Sequence, residues 1–151
     1  MPPPCDLGRT IGIMSSNEPQ PPAPYVAAVL RGDEAAVRSW LERGGGANTA
    51  RENGEVTGVT LLMDAAGQGH ERVAVLLLQH GAQVNLQSSD GATALLGAAA
   101  SGHERVAALL LEHGAEVDMQ SSSGWTALML AAGCGHERVV ELLLQRGAAI
   151  S

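Results

Sequence analysis

The sequence has no lysine and no phenylalanine, and all nine of its basic residues are arginine. Without lysine there can be no lysine Schiff base, no lysine general base and no GxxxxGK[ST] phosphate loop. Aromatic residues reduce to Tyr25, Trp40 and Trp125, so any core must be aliphatic, built from Leu, Val and Ala. The two cysteines, Cys5 and Cys134, do not make a disulfide framework. Apolar runs are short, about six residues at 73–78 against the roughly 20 that a spanning helix needs, so membrane insertion is not expected. The opening MPPPCDLGRTIG lacks a charged stretch followed by an apolar one, the pattern of a secretory signal. Basic charge is scarce as well. Sixteen acidic residues against nine basic ones give a formal charge of −7, which repels phosphate backbones and excludes a general nucleic-acid binder. The expectation is a soluble intracellular protein, cytoplasmic, with the nucleus as the alternative compartment.

What is present is organised in two parts. All seven prolines lie at or before residue 24. Residues 1–23 show no helical or strand period and read as a disordered, proline-rich tail. Its two P-x-x-P matches could dock as polyproline II or be a plain solvated leader. With 151 residues, 45% of them apolar, the chain has room for one domain, at 24–151.

That domain repeats. Gly-His-Glu-Arg-Val occurs at 69–73, 102–106 and 135–139, an offset of 33 both times. Thr60, Thr93 and Thr126 keep the phase, as do Leu62, Leu95 and Leu128, and Gly81, Gly114 and Gly147. A weaker copy begins at Pro24 and Tyr25, and its Gly32 lies 37 before Gly69. The four extra residues fall in the connector 45–58, where an insertion disturbs little packing. Four units result, at about 24–54, 55–87, 88–120 and 121–151. In units two to four a Thr hydroxyl can cap the first helix; in every unit a Gly ends it, and a second helix follows with one apolar face. That helix closes on a basic residue and a left-handed Gly. No unit can bury its apolar face alone, so the copies must stack into a solenoid.

The period and these units resemble the ankyrin repeat. Its T-P-L-H-x-A signature is matched by Thr60-Leu61-Leu62-Met63-Asp64-Ala65, Thr93-Ala94-Leu95-Leu96-Gly97-Ala98 and Thr126-Ala127-Leu128-Met129-Leu130-Ala131. The second-helix pattern is matched over 69–85 and 102–118 and nearly over 135–150. The signature Pro and His are replaced in units two to four by Leu or Ala and by Met or Leu, which favours apolar packing along the first helices. The resemblance implies an all-α ankyrin solenoid of helix-turn-helix units joined by β-turn or hairpin-like loops. It further implies a non-enzymatic scaffold without cofactor or metal, which binds a partner protein on the concave face of turn tips and first helices. The partner-binding positions carried over are Val59 and Gln68 in unit two, Ser89, Asp90, Ala92 and Ser101 in unit three, and Ser122, Ser123, Trp125 and Cys134 in unit four. Trp125 is the only large anchor among them, with Val59 and Ala92 as its equivalents. Its ring could anchor a partner or pack on its own turn.

Sharper chemistry fares worse. His70, His103 and His136 form a ladder, but helices stacked about 8–10 Å apart cannot bring successive rings onto one metal. The plainer reading is that each His bonds loop backbone at the start of its helix. Cys134 and His136, two apart across a Gly, do not face each other as a nucleophile and base would. Each of Arg72, Arg105 and Arg138 follows a Glu, so that stripe is locally neutral. An alternative assignment makes the chain the targeting or regulatory fragment of a larger enzyme or channel. The last unit, with Leu142, Leu143 and Leu144, has no polar cap after it. That end suggests self-association or further repeats.

Overall fold

A computed structural model of the chain describes residues 23–149. The proline-rich stretch 1–22, with its P-x-x-P matches and Cys5, lies outside the described residues. So do Ile150 and Ser151.

Eight helices follow in pairs: α1 Pro24–Arg31 and α2 Glu34–Glu42, α3 Leu61–Gln68 and α4 Glu71–Gln79, α5 Ala94–Ser101 and α6 Glu104–Glu112, α7 Ala127–Gly133 and α8 Glu137–Gln145. Two short antiparallel strands, β1 Ala50–Asn53 and β2 Val56–Thr60, form a hairpin between the first two pairs.

Local chemistry sets the bounds of each first helix. Thr60, Thr93 and Thr126 hydroxyls accept from the N–H of Met63, Leu96 and Met129, each at 3.2 Å. These bonds satisfy amides that the helix leaves without partners. At the far end, Gly69 and Gly102 adopt φ +77°, which an L side chain tolerates poorly. Second helices close in the same way, with Gly44, Gly81, Gly114 and Gly147 at φ +88° to +98°. His80 and His113 each donate a ring N–H to the carbonyl four residues back, Leu76 and Leu109, at 2.9 Å.

The pairs stack in two rows. First helices α1, α3, α5 and α7 pack in sequence, and so do α2, α4, α6 and α8. One aliphatic core runs through all four units, from Val26 and Val29 through Leu62, Leu77, Leu95 and Leu110 to Leu130 and Leu143. The first helices α3 and α5 are buried on every side, Leu61 to Gly67 and Ala94 to Ala100. This is why their sequences lack a solvent-facing polar stripe, the one polar residue in these spans being the buried Asp64.

Polar ties join neighbouring units on the outside. Asn48 donates to the Gly81 carbonyl and accepts from Gln83 N–H, and Asn85 does the same to Gly114 and Glu116. At the third junction Asp118 accepts from Ala149 N–H at 2.9 Å.

The connector between units one and two differs from the expectation of a permissive insertion. It folds as the hairpin, and Asn53 on β1 is buried. Arg51 on β1 reaches into the stack and holds the Asp64 carboxylate with both arms, Nε–Oδ2 at 3.0 Å and NH2–Oδ1 at 2.8 Å. Asp64 is 0% exposed and Arg51 13%. Burial pushes the Asp64 carboxyl up to about 6, against the pull of the guanidinium.

Candidate functional site

The loops ahead of the first helices stand as a row of fingers, and the backbone ties them into one surface. Ser89 N–H donates to the Thr57 carbonyl at 2.8 Å, and Thr57 N–H donates to Ser89 Oγ at 2.9 Å. Ser122 N–H donates to the Asp90 carbonyl at 3.0 Å, one unit further on. Gln87 bridges the same pair of fingers through Nε2, donating to the carbonyls of Gly91 and Gln120. Within each finger the turn is closed locally. Ser88 and Ser121 donate to the carbonyls of Ala92 and Trp125, and their own carbonyls accept from Gly91 and Gly124. Gly91 is required twice: its φ is +79°, and a Cβ there would lie 2.5 Å from the Ser122 amide. The Asp90 carboxylate caps its own turn, accepting from the Ser88 hydroxyl and from Ala92 N–H.

The candidate residues divide by position. Ser89, Ser122 and Ser123 are exposed on the fingertips, beside Thr57. Gln68 and Ser101, at the ends of α3 and α5, and Asp90 are partly exposed. Val59 and Ala92 are not on the surface, both being 0% exposed. They immediately precede the capping Thr, where the chain turns from finger into helix, and that turn points them into the core. Trp125 holds the same position in the last unit. Its ring packs partly against the core and remains partly exposed.

Cys134 is partly exposed, and its sulfur is engaged in a disulfide. Two cysteines still make no framework, and the bridge leaves no thiolate on Cys134 to act as a nucleophile.

The histidine ladder also departs from expectation. His70 donates Nε2–H to the Leu30 carbonyl at 2.8 Å, and His136 to the Ala100 carbonyl at 3.0 Å. His103 bonds the Gly67 backbone in the same way. Each carbonyl belongs to the end of the preceding unit's first helix, not to the loop of the same unit. Burial holds the His103 ring below the ordinary imidazole range, with the neighbouring rings of the ladder adding to the effect. Among the described residues no three His, Cys, Asp or Glu side chains converge as metal ligands would.

Two features escaped sequence reasoning. Tyr25 and Trp40 stack with ring centroids 4.7 Å apart and planes 13° apart. A Cβ on Gly45 would meet the Trp40 ring at 2.3 Å, so the glycine after α2 is there for the indole. The hairpin also raises exposed Glu52 and Glu55 beside Thr57, an acidic flank to the row. The signal available was the four-residue surplus in the first spacing.

The matching family model is that of ankyrin repeats in three copies, and it covers residues 25–121 and 81–151. The chain therefore belongs to the ankyrin-repeat family, whose members are generally protein–protein interaction modules and typically non-catalytic. None of the curated proteins matches it. Among the described residues no helix is long and apolar enough to cross a membrane.

Proposed function

We propose that the chain is a non-catalytic scaffold that holds a partner protein against its row of fingertips. Thr57, Ser89, Ser122 and Ser123 form the rim, and Gln68, Asp90 and Ser101 line the side towards the first helices. Trp125 is the anchor, and Cys134 lies beyond it at the end of α7. The observation that carries this reading is the continuous bonding from Thr57 to Ser89 and from Asp90 to Ser122. A surface already fixed before binding loses little conformational freedom when a partner arrives. Small hydroxyl side chains around one large ring also follow the usual anatomy of an interface, an aromatic anchor ringed by adaptable polar groups.

The test is affinity capture with the chain as bait, followed by measured affinity of the captured protein for the chain and for Trp125→Ala. The expected loss is at least about 2 kcal/mol, roughly thirtyfold, the size of an aromatic hot spot. The unfolding midpoint should move little. An unchanged affinity would remove Trp125 from the site.

A further inference from the structure

The first helices carry a stripe that faces the fingers. In α3 it holds Asp64, Gly67 and Gln68, at i, i+3 and i+4. Arg51, on the finger of the same unit, grips Asp64, so the stripe lies on the finger side. The 33-residue period puts Gly97, Ala100 and Ser101 on the same stripe of α5. It puts Leu130 and Gly133 on that of α7, with Cys134 directly after the helix. Side by side, the three stripes form the inner wall of a groove. Small residues dominate it: Gly67, Gly97, Ala100 and Gly133.

The middle of the wall is covered. Helix α5 packs on α3 and α7 in its own row and on α6 behind. Its fourth side is the wall, yet Gly97 and Ala100 there are buried, and so are Asp64 and Leu130 to either side, both 0% exposed. Bonds also lead off the wall. Cys134 is engaged in a disulfide, and the sequence has one other cysteine, Cys5. Arg51 makes a contact besides its grip on Asp64, and Asn53 and Gln68 each have a further contact of their own. These four residues run in one direction, from the hairpin past the end of α3 to the end of α7.

We propose that the wall is the docking surface of the chain's own leader, residues 6–14, anchored by a Cys5–Cys134 bridge. The segment has the complementary chemistry. Leu7, Ile11, Ile13 and Met14 are large and flexible enough to fill the room that Gly and Ala leave. The segment contains no proline, so every one of its backbone N–H groups is available as a donor. Its length fits as well. Ala23, which leads into α1, lies 18 positions after Cys5, and extended chain of that length reaches about 60 Å. The wall is three unit spacings long, each about 8–10 Å. Residues 6–14 alone span about 30 Å when extended, the width of three stacked units.

The bridge makes this docking depend on redox state. Two equivalents of a monothiol open it. One thiolate attacks a bridge sulfur and displaces the other as a thiolate, and a second thiol then releases the first as a small-molecule disulfide. Two electrons and two protons thereby pass to Cys5 and Cys134. Gln68, Ser101 and Cys134 also belong to the proposed partner site. Resting on that reading, leader and partner compete, and the oxidised chain is the closed form. The docking itself involves one chain and is tested without a partner.

The test uses the full chain. The air-oxidised monomer is digested without reductant and its peptides are weighed. A pair linked through Cys5 and Cys134 is expected; a Cys134 that is free, or linked to a second chain, overturns the proposal. Redox titration against glutathione and its disulfide then gives the effective concentration of the two thiols. Wild type is compared with a serine leader, Leu7→Ser, Ile11→Ser, Ile13→Ser and Met14→Ser together, and with Ser101→Arg, which raises a bulky side chain on the wall. The serine leader keeps the tether length and leaves residues 23–149 unchanged, so it reports a bridge without docking. Wild type is expected to exceed both variants by at least about tenfold in effective concentration. A wild-type value equal to that of the serine leader means a plain tether and overturns the docking. A Ser101→Arg value equal to wild type means that the leader lies off the wall and overturns its placement. Should Ser101→Arg lose its helical far-UV signal, Gln68→Arg, at the equivalent position, takes its place.

Discussion

Glycine 102 shows how much one residue can be asked to do. Its φ of +77° suits it to close α5, and the His136 ring occupies the space beside it. Gly114 has the same handedness, φ +92°, but open surroundings. The pair therefore separates backbone cost from ring docking. Gly114→Ala should lose about 1–2 kcal/mol, the left-handed penalty alone. Gly102→Ala should lose clearly more, since it also displaces His136 from the Ala100 carbonyl. Urea unfolding of the two variants checks this, and equal losses would show that the ring simply moves aside. The recurrent pentapeptides located Gly102 and His136 in the sequence. What they could not convey is that a ring bonds a carbonyl 36 residues away, because the acceptor is backbone and leaves no side-chain signature. Val59 and Ala92 were misplaced for a related reason. Family position puts them on a face, whereas a rotation of one residue at the finger-to-helix turn decides which way they point.

Among the elements, the hairpin is the one most dependent on a single interaction. Arg51 holds the buried Asp64 carboxylate with both arms, and it ties β1 to α3 across 13 positions. Arg51→Leu should cost about 3–5 kcal/mol near pH 8, the usual result of leaving a buried charge unpaired. The pH dependence has a definite sign. The Asp64 pKa is about 6 in the folded chain and 3.8 in the unfolded reference, so the folded state holds more protons between those values. Stability from this group therefore falls as pH rises through that window. The deficit of Arg51→Leu should narrow as pH drops through about 6, when Asp64 takes up a proton. Urea unfolding at pH 5 and pH 8 measures both effects, and a deficit that does not change with pH would refute them. The helix pairs were legible because capping Thr, closing Gly and apolar spacing all agree on them. The hairpin was not: its strands are four and five residues long, and the Arg51–Asp64 pair follows no local period.

Across the whole molecule, each unit touches only its neighbours, so stability is graded along the stack. Units two and three are covered on both sides. Among the described residues unit four is covered on one, and its α7 buries Ala127, Leu130 and Ala131, where α5 buries seven residues. Amide exchange should therefore be fastest in α7 and α8 and slowest in α3 and α5, with opening free energies stepping down towards the last unit. Uniform protection across the four units would contradict this account. The solenoid itself could be read from the 33-residue offset, because a repeat is a statement about every junction at once. How deeply each junction is buried emerges only when each residue is compared with its equivalent in three dimensions.

The bonded fingers have one last consequence, and it concerns length. Neighbouring units are spaced by helix packing at about 8–10 Å. Three residues of extended chain, at about 3.3 Å each, span nearly the same distance. A ligand segment laid along Ser89 and Ser122 therefore meets equivalent hydroxyls three residues apart. The scaffold acts as a ruler, and a bound strand that gains or loses one residue between contacts falls out of step with it.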